Sequence, residues 1–89
     1  MYIKRLVIDA LKPREVSIMD LSRAICELEG VEEVSVVVTE VDVRTETVKI
    51  MISGNDIDFD RMMECISDSG VSVRSLDEVS LSKFKPSSS

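Results

Sequence analysis

The densest run of chemistry-bearing residues is Asn55-Asp56-Ile57-Asp58-Phe59-Asp60, with carboxylates at alternate positions. Such a run could ligate a hard cation, because Ca²⁺ and Mg²⁺ take oxygen ligands. The calcium-loop pattern also needs a glycine at its sixth position and a bidentate glutamate at its twelfth. Counted from Asp56, those positions are Arg61 and Ser67, and neither fits. Helix capping accounts for two of the acids: Asp58 reads as an N-cap, and Asp60 favours the positive end of the helix dipole. A looser metal reading survives. In the sheet order reached below, Asp56, Asp58 and Asp60 fall at the same end as Glu32, Glu33, Asp77 and Glu78. Carboxylates converging there, or across a subunit boundary, would take Ca²⁺ or Mg²⁺; a solvated acidic rim is the plainer reading. Glu40, Asp42 and Glu46 form a second acidic group around a hairpin turn, with Arg44 and Lys49 close by. They read as charges that discourage indiscriminate edge pairing.

Other chemistry is hard to place. The chain has no histidine, so the commonest general base and zinc ligand are both missing. Cys26 and Cys65 are far apart, outside any C-x-x-C spacing, and read as small reduced core residues. No Ser or Cys has a base and an orienting group near it in sequence, so an enzyme is not expected. The first loop, Lys12-Pro13-Arg14-Glu15-Val16, lacks the thiols of a soft-metal carrier. It also lacks the glycine that an anion-cradling or amino-acid-sensing loop would use. Nucleic acid is disfavoured by the net charge of −6. RNA recognition on a sheet also needs stacking rings, and the only aromatics are Tyr2, Phe59 and Phe84. The apolar run Val36-Val37-Val38 is far too short to span a membrane. The first residues do not read as a signal peptide, and a cytoplasmic address is expected.

The elements that position these residues follow from periodicity. Tyr2 to Leu11 predicts a strand that buries Leu6, Ile8 and Ala10 and shows Arg5, Val7 and Asp9 on its other face, with Pro13 breaking it. Ser17 caps a helix whose stripe is Ile18, Leu21, Ile25 and Leu28, with Gly30 as the stop. Val31 to Val43 is a long strand, with Val34, Val36 and Val38 on one face and Ser35, Val37, Thr39 and Val41 on the other. A turn at Arg44-Thr45-Glu46 leads into a strand from Thr47 to Ser53. Asp58 caps a second helix carrying Phe59, Met63 and Ile66, which Gly70 ends. Val71 to about Leu81 is the last strand, with a bulge expected around Leu76-Asp77-Glu78-Val79.

This order is β-α-β-β-α-β, an α+β ferredoxin-like fold. Its antiparallel sheet is expected in the order 4-1-3-2, with two helices on one face. One domain over residues 1–82 and a flexible tail over 83–89 are expected. The face without helices then carries Val7, Val37, Thr39, Val41 and Met51, more apolar than an open sheet face usually is. Those residues are the expected interface of a homo-oligomer.

The residues also resemble a known family. Ile3 to Pro13, Glu27 to Val31, Glu40-Val41-Asp42, Thr45 to Ile50, Gly54 to Phe59 and Ser75 to Val79 are similar, in that order, to an archaeal family of unknown function, DUF211. The resemblance covers residues 2 to 80. It implies a ferredoxin-like domain, an archaeal cytoplasmic source and association of several copies, with a closed ring as one form. It implies no catalytic residues, and it leaves divalent-metal binding through acidic residues open. The function expected is a non-catalytic self-associating module. The alternative is a regulatory sensor that binds a small molecule or a divalent cation near a subunit interface.

Overall fold

The computed structural model of the chain describes residues 1–84, so the part of the expected tail from 85 to 89 lies outside the described residues. The elements are β1 (Tyr2–Pro13), α1 (Ile18–Cys26), β2 (Val31–Val41), β3 (Thr45–Gly54), α2 (Phe59–Asp68) and β4 (Ser72–Ser82). The strands form one antiparallel sheet in the order β2-β3-β1-β4, the expected ferredoxin-like topology read from the other edge.

Alternation decides the core. Leu6, Ile8 and Ala10 of β1 and Val48, Ile50 and Ile52 of β3 are fully buried, on one face of adjacent strands. Leu21 and Ile25 from α1 and Met62 and Ile66 from α2 close over them. Both helices start at their expected caps. Ser17 Oγ accepts the backbone N–H groups of Met19 and Asp20, and Asp58 Oδ1 accepts that of Arg61 at 3.1 Å. Ile57 and Met62, at the N′ and N4 positions of α2, are both buried, as a hydrophobic staple requires.

The two layers do not match in length. Strands of 10 to 12 residues run roughly 33–40 Å, whereas helices of 9 and 10 residues run only about 15 Å. The molecule is accordingly elongated, 44 × 22 × 18 Å. α1 packs over β2, and α2 reaches β4 with few contacts. Much of β4's helix-side surface is left uncovered.

Three boundaries differ from expectation. Pro13 does not break β1 but is its last residue, paired with Thr45. The β2–β3 turn is Asp42-Val43-Arg44, closed by Asp42 N–H donating to Thr45 O at 2.8 Å, so Thr45 and Glu46 belong to β3. α1 stops at Cys26, which leaves Cys26 exposed rather than in the core, while Cys65 is half-buried and both thiols are free.

The extension of β1 and β3 has a consequence. Lys12 continues the stripe of Leu6, Ile8 and Ala10, and Glu46 stands directly opposite it. Lys12 is only 1% exposed. Its Nζ pairs with Glu46 Oε1 at 2.7 Å and donates to the carbonyls of Pro13 and Val16, so its protons are shared among three acceptors. A charged residue thus closes one end of the apolar core, and the loop into α1 is tied to it.

At the other end, Gly54 and Gly30 meet. A Cβ on Gly54 would overlap the carbonyl oxygen of Gly30, whose own φ is +89°. Gly70, at φ +83°, has open space around it. Gly54→Ala is expected to lower stability by about 3 kcal/mol, and Gly70→Ala by only about 1 kcal/mol through backbone strain. Lys12→Ala should also lower it by about 3 kcal/mol, because Glu46 and the loop carbonyls lose their partner. Urea unfolding checks all three. Equal losses for the two glycine variants, or a loss below about 1 kcal/mol for Lys12→Ala, would contradict these assignments.

Candidate functional site

An open cleft of about 900 Å³ lies between the end of α1 and the start of α2. It is lined by Glu27, Glu29 and Gly30 on one side and by Asn55, Asp56, Asp58 and Arg61 on the other. Asn55 holds its floor. The Asn55 N–H donates to Gly30 O at 2.8 Å, its Nδ2 donates to Glu32 Oε2 at 2.9 Å, and its Oδ1 accepts from Lys4 Nζ at 3.1 Å. Ile57 N–H donates to Ile3 O, which anchors the loop to β1. Between these anchors Asp56 takes a left-handed conformation, φ +54°, which Asp tolerates better than most residues.

The structure brings Asp56 and Asp58 together on this cleft and joins them to Glu27 and Glu29, which the metal reading did not include. Asp58 is engaged as the α2 N-cap, and Asp60 is exposed in the first turn of α2. Asp77 and Glu78 do not share that end of the sheet. Glu78 pairs with Val7 in mid-strand and forms an ion pair with Arg5 at 2.8 Å. Asp77 is the extra residue of a bulge and accepts from Ser75 Oγ at 2.7 Å. Register places them there: each residue inserted into β4 carries the acids further from the loop. Among the described residues, no group of three or more Cys, Asp or Glu is arranged to hold a metal ion.

The open face holds a shallow depression of about 420 Å³ bounded by Asp9, Thr39, Glu40, Lys49, Arg74 and Asp77. Asp9 and Lys49 are direct cross-strand partners, opposite charges that stabilise a sheet face. Of the expected interface residues, Val7 is already 7% exposed within a single chain, flanked by its partners Met51 and Glu78. Met51 is half-buried. Thr39 donates its hydroxyl to Thr47 O at 3.2 Å. Val37 and Val41 remain open, at 44% and 61% exposure.

A second apolar strip was not anticipated. Val73, Leu76, Val79 and Leu81 pair with Ala10, Ile8, Leu6 and Ile3, so they belong to the helix side of the sheet. Yet Leu76, Val79 and Leu81 are 44%, 44% and 54% exposed. Their spacing of three, three and two hides them from an alternation test, because Arg74 and Asp77 are inserted residues.

The thiol of Cys65 is pushed above its ordinary range, chiefly by burial and then by the charges of Asp68 and Glu27. A raised thiol holds less thiolate at neutral pH, so it should react slowly there and speed up only as the pH rises towards its pKa. Alkylation followed by intact mass should show Cys26 labelled first near pH 7.5, with Cys65 following at higher pH. Simultaneous labelling at pH 7.5 would contradict this environment.

The comparisons with known proteins agree in kind. The family model described as DUF211, uncharacterized ArCR, matches residues 4–84, which includes Phe84, a residue the resemblance had left outside. An uncharacterized protein of the archaeon Methanocaldococcus jannaschii is 42% identical over 77 residues, covering 86% of this chain and 79% of the relative.

Proposed function

The chain belongs to the DUF211 family, and from that premise we propose that it is a self-associating interaction module with no chemistry of its own. The observation that carries this reading is the apolar surface at both sheet edges: Val37 and Val41 at β2, and Leu76, Val79 and Leu81 at β4. Full burial of one such side chain contributes roughly 1.5–3 kcal/mol, so covering five that are about half exposed contributes on the order of 5 kcal/mol. A domain this small has a stability of about that size, so association competes in weight with folding itself. The net charge of −6 and the absence of rings on the central strands favour a protein partner over nucleic acid. No described helix is long and apolar enough to cross a membrane. Two free thiols suit the reducing cytoplasm, the address that goes with this reading.

The acidic cleft favours one second reading, a regulatory sensor for Ca²⁺, Mg²⁺ or a small molecule near a subunit boundary. Glu27, Glu29, Asp56 and Asp58 bring four carboxylates to its lining, with Arg61 beside them and Lys4 held on Asn55.

Light scattering coupled to gel filtration should give a mass several times the 9.9 kDa of one chain at about 10 µM. A mass of one chain would end the proposal. Thermal unfolding separates the second reading: Ca²⁺ or Mg²⁺ at about 1 mM raises Tm if the folded cleft binds it. An unchanged Tm removes the cation form of the sensor.

A further inference from the structure

Charged side chains from all four strands border the shallow depression on the open face, and their signs alternate across the sheet. From β2 to β4 they run Glu40, Lys49, Asp9 and then Arg74 with Asp77. Neighbouring strands lie about 4.8 Å apart, so each charge stands near the opposite one on the next strand.

These charges nevertheless do not close on one another. Among the described residues the ion pairs are Arg5–Glu78, Lys12–Glu46 and Arg23–Asp20, and none of the depression's charges takes part. Arg5 and Glu78 stand on the same face, further along β1 and β4, and they do meet, at 2.8 Å. Lys49 and Asp9 are direct partners across β3 and β1, yet their heads stay apart. A molecule that carries both charges on one carbon fits between two such heads.

Size and sign narrow the class. At about 420 Å³ the depression falls within the roughly 300–1,000 Å³ of small-molecule sites. Three acids oppose an anion, and Lys49 with Arg74 opposes a cation. A neutral molecule would leave every charge unanswered. A zwitterion answers both signs.

The neighbouring surface selects its side chain. Two residues from Asp9 and Lys49, roughly 7 Å along the strands, Val7 and Met51 pair on the same face. Val37 stands opposite Lys49 and is 44% exposed, and Met51 is half-buried. An aliphatic side chain laid over them removes apolar surface from water. A charged one would lose hydration there without a partner, because Arg5 and Glu78 already satisfy each other.

We propose that this depression binds an α-amino acid with an aliphatic side chain, its carboxylate on Lys49, its ammonium on Asp9 and its side chain over Met51 and Val37. The site goes beyond both readings above. It lies on the face opposite the helices, apart from the acidic cleft, and it needs neither a metal ion nor a second copy. Because the depression is shallow, one side of the ligand stays in water, and the expected Kd is about 1 mM.

A methyl-detected NMR titration of the full chain with L-leucine tests this in whatever state of assembly the chain adopts. The methyls of Val7, Val37 and Met51 should shift and saturate, while those of Leu28, in the acidic cleft, stay in place. Lys49→Gln and Asp9→Asn should each weaken binding by about tenfold or more, with circular dichroism checking the fold. Isocaproate, which lacks the ammonium, and isoamylamine, which lacks the carboxylate, should give no saturable shift up to about 20 mM. No shift at these methyls with L-leucine at about 20 mM overturns the site. So does equal binding of either analogue, or wild-type binding by either variant. Shifts confined to Leu28 would move the ligand to the acidic cleft and overturn it equally.

Discussion

The mismatch between long strands and short helices governs this molecule. A sheet buries one face only where something lies over it, and two helices of about 15 Å cannot cover four strands of roughly 33–40 Å. The core therefore gathers where the layers overlap, on β1 and β3, whose inner residues are fully excluded from solvent. The uncovered remainder falls on the edges. There the chain keeps leucine and valine where a sheet designed to stand alone would carry charge.

The two ends of the sheet meet the same constraint with different chemistry. At the hairpin end, Lys12 and Glu46 occupy the next positions of the core stripes and are held by each other and by the carbonyls of the loop into α1. At the other end, Gly30 and Gly54 let two backbones approach without side chains, and Asn55 ties the junction to Lys4 and Glu32. The acidic cleft grows from that junction. Its carboxylates are spread over two helix termini and a loop, one of them already engaged as a cap.

Local rules made the topology legible. Ser17 and Asp58 cap the helices, Gly30 and Gly70 take the left-handed conformation beyond them, and the strands alternate cleanly wherever they pair regularly. Non-local terms hid the rest. Lys12 reads as a solvated charge until the pairing of β1 with β3 supplies its partner. Asp77 and Glu78 read as neighbours of the loop acids until two inserted residues in β4 shift the register. The same insertions break the period of Leu76, Val79 and Leu81, so alternation hides that apolar strip while it shows the regular one on β2. Cys26 reads as core only if α1 continues past it.

Self-association as proposed would cover the exposed apolar strip of β4, and solvent access to its methyl groups tests that most directly. In an NMR experiment at about 100 µM chain, a soluble paramagnetic agent should relax the methyls of Leu76, Val79 and Leu81 as weakly as those of buried Leu6. Relaxation as strong as that of the exposed hairpin residue Val43 would show that the strip faces water and that nothing covers it.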